Sequence, residues 1–353
     1  MATTLGSSYY PVRLSKEDNG ETREPGRPTA DNEQTGVCVS VCIANWNCRE
    51  QLRDCLESLH PALQEIDLEI IVVDNGSQDG APNMVSRDFP DITLVENSEN
   101  RGFSGANNQA AAKAKGKYLF FLNNDTVVPA SSLRKLVEFA ESHPEAVMVG
   151  PRLRGMDGKI QVSYRSRPTL RTLLHKVNLI RWTGLLKNDY FRYRRNQFQA
   201  DQKRHVEVLM GAALLVARDT FEKCGGWDEA FGFGGEDLEL STRLGQTGPL
   251  VYWPGVEFLH HGRMSTREHI DYAAPQIANG MVRYLEKIGT PKWAILGYKL
   301  VVTLDAPLSL LVKSAQCFVR RLQGRHDKAA KSAMSVRAAW AFLTKGLWAF
   351  WRT

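Results

Sequence analysis

Short apolar runs alternate with amphipathic segments along the first 150 residues of the chain. The runs are rich in β-branched and aromatic residues, and each stops at polar or glycine-containing residues, which is typical of buried strands. Between the runs, leucines at helical spacing or strong helix formers predict helices. The pattern predicts strands at 37–44, 68–73, 92–96 and 118–128, and helices at 50–63, 81–88 and 106–115.

The strand–helix–strand order of this part of the chain constrains its topology. A strand, a helix and a second strand in one sheet form a right-handed crossover, which makes the two strands parallel. Repetition of this unit predicts an α/β fold with a Rossmann-like, doubly wound, mostly parallel sheet. Gly102 and Gly105 precede the last predicted helix, and we expect them to form a flexible loop that can approach a ligand closely.

Polar side chains interrupt or follow the predicted strands. Asn123, Asn124 and Asp125 interrupt the apolar run 118–128, and Asp74 comes directly after the strand 68–73. Open α/β sheets bind ligands at the carboxyl ends of their strands, and one carboxylate there suits a divalent cation that already carries phosphates. Each residue alone is equally typical of a turn. The ordered set, rather than any single member, therefore carries the hypothesis of a nucleotide site.

Composition excludes several classes of protein. The 353 residues are 43% hydrophobic and 24% charged, which is ordinary for a globular chain of one large or two modest domains. No uninterrupted apolar run reaches about 18 residues, so we expect no classical membrane span. Residues 1–20 lack the apolar core of a signal peptide. The six cysteines show no Cys-x-x-Cys pair, and we expect reduced thiols in a cytosolic chain.

The net charge of +6 is distributed unevenly. Residues 152–205, which we call the basic insert, hold 14 Lys or Arg against 3 acidic residues. Residues 291–353 hold 11 against 2. Two basic segments on an otherwise acidic chain predict an anionic partner, such as a membrane surface, a phosphorylated lipid or a nucleic acid.

Both basic segments also contain apolar residues. Leucines and arginines mixed over 165–182 predict an interfacial helix, and a charged face packed on the body is the alternative. Aromatic residues among the arginines at 190–198 would suit stacking on bases, but no known nucleic-acid module accompanies them, and we expect no nucleic-acid partner. Near the C-terminus a single helical face suits a membrane interface, packing against the body or a homo-oligomer contact. That face holds Val336, Trp340, Leu343, Leu347 and Trp351.

A glycine-rich stretch at 225–235 leads into Glu236 and Asp237, which open a predicted helix. Glycines allow tight turns beside a ligand. Acidic residues in a first helical turn also complement the helix dipole, with no need for a ligand. The pair is therefore a candidate for chemistry only in combination with the other segments.

Seven segments carry a resemblance to a known family. In chain order they are VSVCIANWN, IIVVDNGSQDG, ENRGFSGANNQAA, YLFFLNNDTVV, GAALLVARDTFEKCGGWDEAF, GEDLELSTRLGQTG and FLHHGRMST. From about residue 37 to residue 266, the sequence resembles the family 2 glycosyltransferases of the rhamnosyltransferase-like branch. The resemblance implies a GT-A fold, a nucleotide-sugar donor and a Mg²⁺ or Mn²⁺ ion.

The resemblance also implies roles for individual residues. Asp125 matches the last Asp of the family's metal-binding DxD-type motif, which is NND here, so one protein carboxylate serves the metal. His260, five residues before Ser265, matches a metal or diphosphate ligand, and Arg263 and Arg267 are expected phosphate partners. The expected donor-binding residues are Asn47, Asp74, Asp79, Arg101, Gly102, Phe103, Asn107 and Asn124.

Asp237 matches the position of the family's general base. Transfer with inversion needs one carboxylate that takes the proton of the acceptor hydroxyl as it attacks the anomeric carbon, unlike the two carboxylates of retaining hydrolases. The expected acceptor-binding residues are Met210, Gly211, Trp227 and Glu236.

The sequence therefore predicts an inverting glycosyltransferase. The expected donor is a dTDP- or UDP-sugar, with rhamnose as one candidate sugar, and the expected acceptor is a glycan or a lipid-linked glycan of a cell-surface polysaccharide. We expect a cytoplasmic protein, peripheral on the inner face of the cell membrane. A disordered tail (1–35), a GT-A domain (36–290) that includes the basic insert, and a C-terminal helical extension (291–353) are predicted. The alternative is a non-catalytic protein that binds glycan or lipid on a degenerate transferase fold.

Overall fold

The computed structural model describes residues 38–195, 198–262 and 269–353, without the side chains of residues 192, 194 and 195. The predicted tail 1–35 and the candidate phosphate partners Arg263 and Arg267 lie outside the described residues, as does Ser265. The strands are β1 (Val39–Asn45), β2 (Leu68–Asp74), β3 (Thr93–Glu96), β4 (Tyr118–Leu122), β5 (Thr126–Val127), β6 (Met148–Arg154), β7 (Ile160–Gln161), β8 (Tyr164–Arg165), β9 (Arg204–Val206), β10 (Val208–Leu209), β11 (Ala213–Ala217) and β12 (Leu250–His260).

The helices surround and follow these strands. They are α1 (Arg49–Leu59), α2 (Ala81–Asp88), α3 (Gly102–Lys113), α4 (Ser132–Ser142), α5 (Leu170–Lys176), α6 (Asn178–Thr183), α7 (Lys187–Arg195), α8 (Arg218–Lys223), α9 (Glu236–Leu244), α10 (Ile270–Lys287), α11 (Lys292–Leu322), α12 (His326–Ala341) and α13 (Leu347–Arg352). A 3₁₀ turn, His60–Gln64, extends α1, and a π turn, Phe342–Gly346, joins α12 to α13.

The main sheet has the strand order β3-β2-β1-β4-β11-β6-β12-β5, with β7 beside β6 and β9 beside β12. Strands β3, β2, β1 and β4 are parallel, as the sequence predicts. Strand β11 is antiparallel to both β4 and β6, and β5 is antiparallel to β12. Strands β8 and β10 form a separate pair. The second half of the sheet is therefore mixed.

The apolar run 118–128 forms two strands instead of the single strand that we predicted. Strand β4 ends at Leu122, and β5 pairs with β12, with Thr126 opposite His260. The polar residues 123–125 form the turn between the two strands. This change of partner strand brings Asp125 beside the end of β12.

Apolar side chains fill both faces of the sheet. Along β1, Val41 and Ile43 belong to one buried cluster and Cys42 belongs to the other, because successive side chains of a strand point to opposite faces. Helices α1, α2 and α4 cover the first face, and α3, α8 and α9 cover the second. The doubly wound α/β prediction is confirmed.

Helix α3 begins at Gly102, so the residues that we predicted to be a flexible loop form its first turn. Gly102 has φ +77°, and a Cβ atom on it would lie 2.6 Å from the carbonyl oxygen of Gly232. The next amide, of Phe103, donates a hydrogen bond to the same oxygen at 3.0 Å. Glycine is required here because the glycine-rich stretch packs directly on the start of α3.

The basic insert contains three short helices, α5 to α7, where we predicted one interfacial helix. The backbone is extended at Val177, and Gly184 ends α6 with φ +73°. Leu173 and Val177 are buried, and the α5 leucines pack with the C-terminal helices. The start of the insert, residues 152–165, instead contributes to β6, β7 and β8.

The predicted C-terminal helical extension is observed as α11 to α13. Leu343 and Leu347 pack in a third apolar cluster with α10 and α11. Trp340 and Trp351 remain 60% and 38% exposed. Four of the five residues that we placed on one face therefore divide between the apolar cluster and solvent, and the π turn changes the helical periodicity between Trp340 and Leu347.

Candidate functional site

Polar side chains join the carboxyl ends of β1, β2 and β4. Asn45 and Asp74 are partners in the register of β1 with β2, and both are buried. Asn45 Nδ2 donates to Asp74 Oδ2 at 2.8 Å, and the amide of Ser77 donates to Asp74 Oδ1 at 2.8 Å. Asn124 Nδ2 donates to Asn45 Oδ1 at 2.7 Å. The candidate residues Asp74 and Asn124 therefore belong to one network, which passes through Asn45.

Asp79 and Asn47 shape the two loops above this network. Asp79 accepts hydrogen bonds from the amides of Arg49 at 2.8 Å and Ala81 at 3.1 Å. Asn47 has φ +49°, and its Oδ1 accepts from the amide of Gln78 at 2.8 Å. Both side chains hold the loop after β1 against the loop after β2.

The start of α3 borders the same edge of the sheet. Arg101 is exposed, and the carbonyl oxygen of Gly102 accepts from Asn75 Nδ2 at 3.1 Å. Asn107 is 1% exposed; its Nδ2 donates to the Phe103 carbonyl oxygen at 3.0 Å, and its Oδ1 has no hydrogen-bond partner within the described residues. The positive N-terminal end of α3 and exposed Arg101 suit an anionic ligand, and Asn107 Oδ1 can accept a hydrogen bond from a hydroxyl group of that ligand.

Asp125 and His260 lie side by side at the ends of β4 and β12. His260 Nε2 is 3.2 Å from Asp125 Oδ1 and 3.4 Å from Asn123 Nδ2. Gln161 Nε2 donates to the His260 carbonyl oxygen at 2.8 Å. Gln161 Oε1 therefore accepts from His260 Nδ1, also at 2.8 Å. This arrangement places the proton on Nδ1 and directs the Nε2 lone pair towards the carboxylate.

An imidazole nitrogen and a carboxylate oxygen 3.2 Å apart are placed to share a cation. A carboxylate suits Mg²⁺ or Mn²⁺, and imidazole is a common ligand of first-row transition metals. Within the described residues, no group of three or more His, Cys, Asp or Glu side chains could hold a metal ion. Two protein ligands fit a cation that takes its remaining ligands from water and a diphosphate.

Asp237 lies at the start of α9, and the Met210–Ala212 stretch lies between it and the Asp125–His260 pair. Its oxygens accept hydrogen bonds from Arg165 Nη2 at 3.1 and 3.0 Å, and Oδ1 also accepts from the amide of Leu238 at 2.8 Å. A Cβ atom on Gly211 would lie 3.7 Å from Asp237 Cβ. The guanidinium group and the helix amide hold this carboxylate in a fixed orientation.

Glu236 is adjacent to Asp237, and its Oε2 is buried without a hydrogen-bond partner within the described residues. Burial, and then the neighbouring Asp237 carboxylate, raise the pKa of Glu236 from 4.5 to about 7. Burial therefore favours the neutral form of the Glu236 carboxyl group.

One short segment, Ile160–Arg165, contacts His260, Met210 and Asp237. Gln161 holds His260, the Ser163 carbonyl oxygen accepts from the Met210 amide at 2.9 Å, and Arg165 holds Asp237. These roles are not predicted from the sequence, in which the segment is part of the basic insert. No local pattern distinguishes Gln161 or Arg165 from surface residues, since their partners lie 99 and 72 positions away.

The remaining candidate acceptor residues differ in exposure. Met210 and Gly211 are partly exposed beside Asp237. Trp227 is only 2% exposed and packs edge-on against Phe103 and Phe121, with ring centroids 5.3 and 5.2 Å apart. Its surroundings are those of a core residue, and we leave Trp227 out of the proposed acceptor site.

Comparison with known proteins gives a family and a fold. The family model for glycosyl transferase family 2 matches residues 40–217. The chain is 31% identical, over 241 residues, to the N-acetylglucosaminyl-diphospho-decaprenol L-rhamnosyltransferase of Mycobacterium tuberculosis; the match covers 65% of this chain and 77% of that protein. It is 28% identical, over 238 residues, to the O-antigen biosynthesis protein RfbC of Myxococcus xanthus, and covers 65% of this chain but only 18% of that protein.

Two solved structures share the architecture. The mannosyltransferase PcManGT from Pyrobaculum calidifontis, solved with GDP-Man and Mn²⁺, superposes with a TM-score of 0.50 at 19% identity, over 87% of each chain. GalNAc-T7, solved with UDP, GalNAc and Mn²⁺, gives a TM-score of 0.52 at 16% identity, over 72% of this chain and 48% of that one. At these identities the likeness is one of fold. The protein is a glycosyltransferase with a GT-A fold and belongs to glycosyl transferase family 2, in its rhamnosyltransferase-like part.

Proposed function

We propose that the protein transfers a sugar, with L-rhamnose as the first candidate, from a dTDP- or UDP-sugar to a lipid-linked glycan with inversion at the anomeric carbon. The mycobacterial relative supports this proposal, because its name specifies an L-rhamnosyl group and an acceptor linked through diphosphate to a polyprenol. Lipid-linked acceptors of cell-surface polysaccharides are built at membranes, so the expected place of action is the inner face of the cell membrane. Family membership disfavours a non-catalytic binding protein.

One observation supports the proposal most strongly. The amide of Asn123, next to the Asp125–His260 pair, donates to the carbonyl oxygen of Ala212 at 2.9 Å. Gly211, one residue earlier, lies against Asp237. The proposed cation position and the candidate base therefore lie on either side of two consecutive residues, Gly211 and Ala212. A reaction between a bound diphosphate donor and an acceptor hydroxyl needs these two groups close together.

The donor half of the proposed site lies between the strand ends and α3. Loop amides held by Asp79 and Asn47, together with the network of Asp74, would bind the nucleoside, while Arg101 and the first turn of α3 would bind the diphosphate. Asp125 and His260 would hold Mg²⁺ or Mn²⁺, which when bound offsets the charge that develops on the leaving diphosphate. Gln161 fixes the His260 tautomer that this role needs.

The acceptor half lies at Met210, Gly211 and the start of α9. Asp237 would take the proton of the attacking hydroxyl, and Arg165 keeps the carboxylate oriented towards that position. Glu236, whose pKa is raised to about 7, would donate a hydrogen bond to the acceptor in its protonated form. A single base and no protein nucleophile are sufficient for transfer with inversion.

Calorimetric titration with dTDP, UDP and GDP, with and without Mn²⁺, tests the donor half. We expect one nucleotide to bind in a metal-dependent way, and the sugars of that nucleotide then define an activity screen. The anomeric configuration of the first product, read by proton NMR before mutarotation, tests inversion. Absence of nucleotide binding by folded protein, or a product with retained configuration, would contradict the proposal.

A further inference from the structure

Helix α11 presents a continuous apolar face to solvent. With about 100° of rotation per residue, the exposed apolar side chains of this helix fall within one sector. No charged residue lies in that sector along the 31-residue helix. Large exposed apolar patches mark interaction sites. The residues of this α11 face are Trp293, Leu296, Leu300, Leu304, Leu311, Phe318, Val319 and Leu322, which are 78, 50, 48, 65, 69, 64, 47 and 73% exposed.

The opposite side of α11 is anchored to the body of the protein. Ile295 and Tyr298 are buried in the third apolar cluster. Asp305 is 8% exposed, and its carboxylate accepts from the amide of Leu179 at 2.9 Å and from Asn178 Nδ2 at 3.1 Å. Helix α11 is therefore a packed element of the fold with one uncovered side.

Among the described residues, α11 is the helix long and apolar enough to cross a membrane, and 28% of its apolar window is buried. A helix of 31 residues is about 46 Å long, whereas the hydrocarbon core of a bilayer is about 30 Å thick. Crossing would also carry buried Lys299 and Asp305 into lipid and separate α11 from its partners. A helix with one apolar face and one packed face instead suits an orientation parallel to the membrane surface.

The charge and the exposed tryptophans of the C-terminal helices indicate what covers the α11 face. Residues 291–353 hold 11 basic residues against 2 acidic ones, so a second copy would bring like charges together. Five of the eight tryptophans are at least 38% exposed, and four of these lie on α11, α12 and α13. The guanidinium carbon of Arg352 lies 3.7 Å from the ring centre of exposed Trp348. Exposed tryptophans with basic residues are typical of proteins seated on anionic lipid.

We propose that the α11 face lies in the plane of an anionic bilayer and holds the protein there without crossing it. This inference deepens the proposed function, because it brings the enzyme to a lipid-linked acceptor. Helix α10 connects the two regions. Tyr272, in its first turn, contacts Trp46 after β1 with ring centroids 5.3 Å apart, and α10 ends five residues before α11 begins. A single helix therefore links the catalytic edge of the sheet to the lipid-facing helix.

Vesicle flotation of the full chain tests this inference. The probes are vesicles of phosphatidylglycerol with phosphatidylcholine, and vesicles of phosphatidylcholine alone. The variant Leu304→Glu/Leu311→Glu places two charges in the face. The matched control Leu63→Glu/Met156→Glu places the same charges at exposed apolar residues of the GT-A domain, which are 42 and 58% exposed. We expect binding to the anionic vesicles that falls about 10-fold or more in the first variant and is unchanged in the control.

The depth of the α11 face in the bilayer is measured with lipids that are brominated either near the headgroup or at the end of the acyl chain. The difference in fluorescence quenching between wild type and Trp293→Phe reports Trp293 alone, and we expect quenching by the shallow label. Unchanged binding of Leu304→Glu/Leu311→Glu, quenching by the deep label, or a dimer that this variant dissociates would each overturn the proposal. Nucleotide titration of the same samples separates the two proposals, because loss of vesicle binding with intact nucleotide binding leaves the proposed function standing.

A second inference concerns Arg165. Its Nη2 alone bonds Asp237, and 28% of its side chain is accessible to solvent. A guanidinium group has five donors in a planar fork that matches phosphate oxygens. We infer that Arg165 positions Asp237 and, through its other donors, binds the diphosphate of the acceptor. This inference rests on the proposed acceptor class.

Two acceptors test this role of Arg165: N-acetylglucosamine linked through diphosphate to a short prenyl chain, and its uncharged octyl glycoside. We expect Arg165→Gln to raise KM for the charged acceptor about 10-fold or more with little change for the uncharged one, and to lower kcat for both. Arg154→Gln, which breaks a similar pair with Glu257 on β12, is the control. Equal changes in KM for both acceptors would overturn the inference, whereas absence of wild-type turnover with either would contradict the proposed function.

Discussion

His260 Nε2 faces Asp125 Oδ1 at 3.2 Å because β12 pairs with β5 in a register that sets His260 opposite Thr126. Gln161 bonds both the ring and the backbone of His260, so the orientation of the imidazole is fixed before any ligand arrives. A preorganised pair of this kind favours a cation that arrives with the donor diphosphate.

The first prediction concerns this pair and its support. His260→Ala and Gln161→Leu should each weaken Mn²⁺-dependent nucleotide binding about 10- to 100-fold, because one removes the proposed ligand and the other releases its ring. Nucleotide affinity without metal should change little. Calorimetry with and without Mn²⁺ measures both, and His326→Ala, at an exposed helix start, is the control. Metal-dependent affinity equal to wild type in His260→Ala would remove His260 from the metal site.

The second prediction concerns the proposed base. Asp237→Asn keeps the size of the side chain and should lower kcat about 100- to 10,000-fold, which is the usual contribution of a general base. Nucleotide affinity should stay near wild type, because Asp237 lies on the acceptor side of Gly211. Steady-state kinetics measures the loss, and the exposed Asp219→Asn on α8 should behave as wild type. Near-normal turnover in Asp237→Asn would assign the base elsewhere.

The third prediction follows from the raised pKa of Glu236. In the folded protein this pKa is about 7, against an ordinary value of 4.5 in the unfolded chain. Between these values the folded state binds more protons, so stability falls as pH rises from 4.5 to about 7 and then levels off. Glu236→Gln has no ionisable group at this position, so it lacks this pH dependence. Its melting temperature relative to wild type should therefore increase from pH 5 to pH 8; a constant difference would show that the carboxyl group is not destabilised by burial.

The fourth prediction compares two glycines with the same backbone conformation. Gly102 and Gly184 have φ +77° and +73°, but a Cβ atom would meet the Gly232 carbonyl oxygen at 2.6 Å in the first and open space in the second. Gly184→Ala should cost only the left-handed strain, about 1–2 kcal/mol. Gly102→Ala should cost more and weaken nucleotide binding, because it displaces the start of α3. Denaturant unfolding and calorimetry measure the two effects, and equal losses would exclude a role for the contact.

Much of the fold follows from local sequence. The apolar runs that form β1, β2 and β4, the helices between them, and the parallel order of these strands need only periodicity and the handedness of crossovers. Ordered motifs indicate the family and the positions of Asp74, Asp125 and Asp237. Where the prediction differed, as at the start of α3, a distant segment decided the conformation, since the partner of Gly102 is Gly232.

The sequence by itself determined the alternating α/β framework, the residues at the strand ends and the surplus of positive charge in two segments, because these depend on neighbours along the chain. Only the tertiary structure decided which of them meet. Strand β5 pairs with β12 and not with β4, which places Asp125 beside His260. Strand β8 places Arg165 beside Asp237. Burial of one side of α11 leaves its apolar side exposed to solvent. Such contacts join residues far apart in sequence, and no local periodicity encodes them.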